Sequence, residues 1–535
     1  MDNFVEEGRG LKAGTFRNGT SLNGRFAVQG QNNKKKLLPS GSSNYHQLRL
    51  LSVPMVSTAR GRTAILVVLI VVSSSFLFLV RTDKVSLSWP RASPKTLANA
   101  NSPSPDTSKF ADTRLTWTGS SIPQTTLQVH VTGWSVFDNL YALNGTLYIV
   151  TNSPTTFPPR REVTSSKAEL QNVEGNVEAR EPTDRDMQII STAEATTLFG
   201  QSASRMNGVN MITNDPDQFL GHYYHFCAET LIGIWRTYSS LDTNITPNGD
   251  TVLPPPTRLI FPHGKSAFRD HAGVNHVVLR AAFPSIAIEY EWDWDERAST
   301  AKPFVMDRVI LTARSTTERA KGFDPDAKML ALADRLPKSP YWWTPIRKQV
   351  LEFVGASPET IMPSGTEKPV ITYISRQGSP GRKLADKSHR SLVKALQDLQ
   401  AQHGYEVNIV QMETLTKPEQ IKLSARTTIM IGTHGNGLTS MLWMRPSPSA
   451  TVIEIYYPPG FSTDYSVPAR VLGIEHYGVW NGRYFRSNSE HKPERNQPDG
   501  FHGDQIPVDG PTIAALCLER IVHPTLLASK MTKTK

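Results

Sequence analysis

Cysteine is nearly absent, with only Cys227 and Cys517 in a chain of 535 residues. Two thiols cannot make a disulfide framework, and no Cys or His spacing fits a structural zinc site. One bridge between them and two separate buried thiols both stay open. There is no H-E-x-x-H helix, so zinc proteolysis has no support. A basic surplus of the kind that holds nucleic acid is also missing. The 58 Lys and Arg outnumber the 48 Asp and Glu, but residues 1–62 alone hold 10 of the former and 3 of the latter, leaving 48 against 45 elsewhere. The surplus describes a tail, and nucleic-acid binding is rejected.

What is present starts with an uncharged run. Thr63 to Val80 is 18 residues long, between Arg60 and Arg62 on one side and Arg81 and Lys84 on the other. At about 1.5 Å per residue it spans roughly 27 Å, enough for a thin secretory-pathway bilayer. It follows a long polar tail, unlike a cleaved signal peptide, and a buried core helix would not carry such charged flanks. The positive-inside rule puts the tail in the cytoplasm and the rest in the lumen. The sequence therefore predicts a single-pass type II signal-anchor protein. Its parts are a disordered basic tail (1–62), the anchor (63–80), a Ser/Pro/Thr-rich stem (81–126) and globular regions at 127–345 and 346–535. Asn144 and Asn244 head glycosylation sequons on the luminal side, the second followed by Pro247, whereas Asn18 heads one in the cytoplasmic tail.

In the first globular region, Val129 to Val136, Leu147 to Thr151, Arg258 to Phe261 and Val305 to Leu311 read as strands. Ser165 to Asp186 reads as an exposed charged loop. Phe219 to Ser239 reads as one helix opened by Asp215-Pro216-Asp217, and Gly273 to Ala282 is helical in composition. Pro337 to Pro345 reads as a connection between the regions. Beyond it, Val370 to Ser375 (strand), Ser388 to Gln402 (helix with Gly404 as its stop) and Glu406 to Gln411 (strand) alternate. Thr416 to Glu419 is a capping box for a helix reaching Arg426. Then Thr428 to Ile431, a turn with Gly432, Gly435 and Gly437, a short helix from Leu438 to Met444, and Thr451 to Tyr456 make strand, turn, helix and strand. The expected fold class is α/β, with a doubly wound and mostly parallel sheet in this half.

Four groups of residues carry chemical promise, each with a plainer alternative. The glycine turn with His434, Gly435, Asn436 and Gly437 can seat a phosphate at a helix N-terminus, or it can serve only a packed crossover. Arg376, with Lys383 after it, can hold phosphate oxygens or belong to a solvated basic loop. Glu454, at a strand end, can bind a ribose diol or pair with a neighbouring base. His225 and Glu229, four apart in GHYYHFCAE, can supply a general base for an acceptor hydroxyl or form a pair on a solvated helix face. Asp293-Trp294-Asp295 has the form of a metal and nucleotide signature but lacks a convincing strand before it. It reads as an exposed acidic turn, so no metal site is assigned.

The segments GHYYHF, ITYISRQ with RKL after it, GTHGNGLTSMLWM and TVIEIYYPPGFSTDY occur in this order. Together they resemble glycosyltransferase family 61, and in detail its fungal members, over roughly residues 210–480. His222, Asn436 and Ser440 depart from the residues usual there. The resemblance implies two Rossmann-like domains of GT-B type and an inverting transfer of xylose, N-acetylglucosamine or arabinose. The donor would be a UDP-sugar, and the acceptor a glycoprotein glycan or polysaccharide in the Golgi or endoplasmic reticulum. No cofactor is implied, and manganese is not favoured. His225 or Glu229 would be the base. Arg376, Lys383, His434, Gly435, Asn436 and Gly437 would bind the diphosphate, Glu454 the ribose, and Asp464 and Tyr465 would line the donor pocket. The rivals are a non-catalytic luminal glycan-binding protein of the same fold and a metal-dependent transferase using Asp293 and Asp295.

Overall fold

The computed structural model describes residues 113–171, 173–265, 268–320, 328–362 and 368–524. The basic tail, the Thr63 to Val80 run and the expected stem up to residue 112 lie outside the described residues. No helix among the described residues is long and apolar enough to cross a membrane. The described residues belong to one compact unit, a mixed α/β structure with two multi-strand sheets.

The first sheet has nine strands. They are β1 (Arg114–Thr116), β2 (Thr126–Val131), β3 (Trp134–Leu143), β4 (Thr146–Val150), β5 (Met187–Ile190), β6 (Ser202–Thr213), β7 (Pro256–Ile260), β8 (Ala287–Glu289) and β9 (Phe304–Thr312). The order is β5-β4-β3-β9-β6-β7-β8, with β1 on β6 and β2 on β3. Its pairing is mixed: β3 runs antiparallel to β2, β4 and β9, while β6 runs parallel to β7 and β9.

The second sheet contains β10 (Val370–Ile374), β11 (Glu406–Val410), β12 (Ile429–Thr433), β13 (Thr451–Ile455), β14 (Glu475–Trp480) and β15 (Arg483–Arg486). The order is β11-β10-β12-β13-β14-β15, parallel except for the last pair. β10, β12 and β13 are buried along their whole length, as parallel strands covered on both faces must be. Alternate side chains serve opposite faces. Ile371, Tyr373, Ile429, Ile431 and Ile453 pack with Leu392, Leu396 and Leu399 of helix Asp386–His403 and with Ile513 and Leu516 of helix Gly510–Val522. Ile374, Met430 and Val452 face the other way and join one apolar cluster with Tyr223, Phe226, Trp343 and Trp443, and with Trp134 and Ile310 of the first sheet. The two sheets thus share a core. Each such fully buried Ile or Leu contributes about 1.5–3 kcal/mol.

The strand order reverses between β10 and β12, because β11 lies on one side of β10 and β12 on the other. In doubly wound sheets this reversal opens a crevice at the carboxyl ends of the two strands, where ligands bind. Arg376 follows β10 there, and His434 follows β12.

Several sequence expectations are revised. The folded chain starts inside the expected stem: β1 pairs with Ser202–Ser204, and Trp117 and Ile122 are buried. Val129 to Val136 is a hairpin split at Gly133, whose φ is +80° and where a Cβ would meet the Ala313 carbonyl at 2.9 Å. The charged Ser165 to Asp186 stretch holds a short helix, Asn176–Ala179, and a buried Arg180. Asp293-Trp294-Asp295 lies within helix Glu291–Ser299, with the Asp293 carboxylate accepting from the Tyr290 N–H at 2.8 Å and Trp294 buried. The single helix expected over Phe219 to Ser239 is three: Asp217–Leu220, a π-helix over Tyr224–Leu231, and Ile232–Ser239. The helix after the glycine turn is a 3₁₀ helix, Asn436–Trp443.

Candidate active site

The π-helix explains why three polar side chains of GHYYHFCAE meet. Its i→i+5 hydrogen bonding brings residues five apart onto the face already shared by residues four apart. His225 Nδ1 lies 2.7 Å from Glu229 Oε2, and the Tyr224 hydroxyl lies 3.2 Å from Glu229 Oε1. Thr230 Oγ1 donates to the His225 carbonyl at 3.1 Å. Arg314, just past β9, closes the group. Its Nη1 reaches Glu229 Oε2, its Nε sits 3.2 Å from Asp215 Oδ2, and its guanidinium lies 4.5 Å over the Phe219 ring.

The electrostatics assign different roles to the two members of the pair. Burial alone would raise the Glu229 carboxyl, but Arg314, then His225, outweigh it and hold it well below the usual carboxylate range. Such a group holds no proton at neutral pH and has little tendency to take one. The Glu229 side chain is 11 % exposed and that of His225 28 %, so the histidine is the one that can meet an incoming molecule. With Glu229 accepting at Nδ1, the proton of a neutral imidazole sits on Nδ1 and Nε2 is left as the acceptor.

A second histidine–carboxylate pair lies in the C-terminal sheet. His434 Nδ1 is 2.6 Å from Glu454 Oε1, while the Glu454 Oε2 lies 3.0 Å from His476 Nε2 and 2.5 Å from the Tyr456 hydroxyl. Burial would raise the Glu454 carboxyl, but His434, hydrogen-bonded to it, and the neighbouring His476 bring it down to about 2. Glu454 is fully buried, and its oxygens are occupied by His434, His476 and Tyr456. Of the two readings of Glu454, the pairing with a neighbouring basic residue is present here, and through it the carboxylate orients His434. The His434 Nε2 points toward Asp464, with Oδ2 at 3.8 Å.

Arg376 sits beside this pair. A Cβ added to Gly435 would lie 3.1 Å from Arg376 Nη1, so the guanidinium runs along the bare backbone of the turn. Gly435 has φ +156° and ψ 171°, a region essentially confined to glycine. Arg376 has no carboxylate partner among the described residues, its Nε is buried without a hydrogen bond, and its Nη2 reaches only the Gly381 carbonyl, at 3.5 Å. Burial, and then neighbouring Arg382, lower its pKa. A half-buried cation left in this state is matched to an anion that arrives with a ligand. Gly437 packs the 3₁₀ helix on β10, where a Cβ would meet Ile374 at 3.0 Å. Asn436 Oδ1 accepts from Thr439, and Lys383 is half-buried on the same loop as Arg382.

The predicted residues converge on one place. The Tyr224 hydroxyl is 2.9 Å from the Asp464 carbonyl, and the Tyr465 ring contacts both Tyr224 (5.2 Å) and His434 (5.5 Å). The segment Asp464–Tyr465 thus lies between the His225–Glu229 pair and the His434–Glu454 pair. Asn144 and Asn244 are both exposed, Asn144 at the β3–β4 hairpin and Asn244 five residues beyond helix Ile232–Ser239. Arg314, Asp215, Tyr224, Tyr456 and His476 are site residues that sequence reasoning missed. Among the described residues, no group of three His, Cys, Asp or Glu has the arrangement of a metal site.

No curated protein matches the chain. Residues 223–453 match the family model described as Glycosyltransferase 61. The match takes in the π-helix, Arg314, Arg376 and the glycine turn, and it ends one residue before Glu454. It supports glycosyltransferase family 61 for this chain, and with it a glycosyltransferase activity acting on a donor and an acceptor.

Proposed function

We propose that the chain is an inverting glycosyltransferase that moves a sugar, xylose or N-acetylglucosamine, from a UDP-sugar to a glycoprotein glycan or polysaccharide. The observation that carries this reading is the unpaired, part-buried Arg376 guanidinium against the Gly435 backbone, at the strand-order reversal and across from the His225–Glu229 pair. The nucleotide and the sugars come from the resemblance, as does the arrangement of two GT-B domains (127–345 and 346–535) around an acceptor.

In the reaction, His225 Nε2 takes the proton of the acceptor hydroxyl while that oxygen attacks the anomeric carbon. The bond from that carbon to the diphosphate oxygen breaks on the opposite side, so one displacement inverts the centre. The departing diphosphate gathers charge, which Arg376 and the N–H groups of the Gly435–Gly437 turn face, with His434, Lys383 and Asn436 beside it. Glu229 and Arg314 do not touch substrate. They hold the His225 ring and its tautomer. Asp464 and Tyr465 line the donor pocket.

The same reading places the protein in the Golgi or endoplasmic reticulum membrane through Thr63 to Val80. Its globular part is then luminal and carries glycans at Asn144 and Asn244. A panel of UDP-sugars tested by thermal shift on the full-length chain is the direct experiment. One donor should raise the melting temperature, and Arg376→Ala should abolish that rise. No response to any donor, with or without added manganese, would refute the reading.

A further inference from the structure

The loop Ser462–Tyr465 is held by two tyrosine hydroxyls, one from each half of the molecule, and each of those hydroxyls also faces the carboxylate of a histidine pair. The Tyr224 hydroxyl, from the π-helix, is 2.9 Å from the Asp464 carbonyl and 3.2 Å from Glu229 Oε1. The Tyr456 hydroxyl, just past β13, is 2.9 Å from the Ser462 carbonyl and 2.5 Å from Glu454 Oε2. A phenol carries one hydrogen, and carbonyls and ionised carboxylates only accept. Burial holds both phenols well above their ordinary range, so each keeps that hydrogen. Each hydroxyl can therefore donate fully to the loop or to the carboxylate, and not to both.

We infer that Tyr224 and Tyr456 are positioning residues that tie both histidine–carboxylate pairs to the one loop Ser462–Tyr465, so that the donor pocket and the base are set together. The inference rests on the donor-site reading above and adds a consequence that reading lacks. Asp464 sits within 3.8 Å of His434 Nε2 and 3.7 Å of Lys328 Nζ, so a nucleotide diphosphate entering beside His434 meets this loop. A shift of the Asp464 carbonyl changes how fully Tyr224 donates to it, and hence how Glu229 holds His225. Tyr224 belongs to the base side and is not among the groups proposed to bind the donor. It should nevertheless influence donor affinity.

The test is calorimetric titration of the full-length chain with UDP, for wild type, Tyr224→Phe, Tyr456→Phe and the double variant, with melting temperatures as a folding control. Each single change should weaken UDP binding by roughly 3–10-fold, the scale of one hydrogen bond. The double variant should be weakened by clearly less than the product of the two, because both hydroxyls hold one loop. Should Tyr224→Phe fail to fold, hydrogen exchange on wild type replaces it. UDP should then protect amides 224–231 as well as 462–465. Unchanged UDP affinity in Tyr224→Phe with only kcat reduced, fully multiplying effects, or protection confined to 462–465 would overturn the inference. Failure of the wild-type chain to bind UDP would instead refute the donor-site reading itself.

Discussion

Glu229 Oε2 accepts both from His225 Nδ1, at 2.7 Å, and from Arg314 Nη1, so one carboxylate oxygen joins a reachable histidine to a buried cation. The His225 ring is thereby held by a group whose charge is itself fixed. His225→Ala should lower kcat by about 10²–10⁴-fold, the usual contribution of a positioned base. His225→Ala should leave melting nearly unchanged because the ring is partly exposed. Steady-state kinetics and a thermal melt on the same preparation check both statements.

Removing the carboxylate has a different signature. Glu229→Gln removes one of the two carboxylates ion-paired with Arg314, leaving that of Asp215, and strips His225 of its charged acceptor. Breaking one side of a buried ion pair costs about 3–5 kcal/mol. Glu229→Gln should therefore lower both the melting temperature and kcat, whereas His225→Ala lowers kcat alone. Equal melting temperatures for the two variants would mean that the Arg314–Glu229 pair does not support the fold.

The Glu454 carboxyl gives a pH dependence of definite sign. Its folded pKa, about 2, is below its ordinary value of 4.5. The stabilisation it provides is therefore complete above the ordinary value and is lost as pH falls from about 4.5 toward 2, a change of about 3 kcal/mol for a shift of this size. Urea unfolding at a series of pH values should show stability declining through that window. Glu454→Gln should decline less steeply there while being less stable at neutral pH.

Gly435→Ala should act through both backbone and neighbour. A side chain at φ +156°, ψ 171° is strained by about 1–3 kcal/mol. Its Cβ would also lie 3.1 Å from Arg376 Nη1, so the guanidinium must shift. UDP affinity should fall at least tenfold with a lowered melting temperature. A variant that binds UDP normally would separate Arg376 from the donor.

The second sheet was legible because its signals are local. β10, β12 and β13 are buried β-branched runs, Gly404 stops a helix in the left-handed conformation, and Thr416 with Glu419 forms the capping box that its sequence announces. The first sheet was less so. A two-residue turn at Thr132-Gly133 splits what alternation alone reads as one strand, and β3 pairs with β9, which is far away in sequence. The π-register over Tyr224–Leu231 has no periodic marker, so it could not be read. Arg314 was missed because its partner Glu229 is 85 positions distant and nothing between them forecasts the contact. Glu454 was placed on its strand with two readings, and the pairing with a basic neighbour is the one present. His476 and Tyr456, which occupy its oxygens, come from β14 and from beyond the end of β13.

The most direct measurement compares UDP affinity and sugar transfer in wild type, Arg376→Ala and His225→Ala. If Arg376 receives the diphosphate and His225 takes the acceptor proton, Arg376→Ala loses UDP affinity by tenfold or more. His225→Ala then binds UDP like wild type while transfer collapses. The opposite pattern, with UDP affinity intact in Arg376→Ala and transfer intact in His225→Ala, would contradict the account.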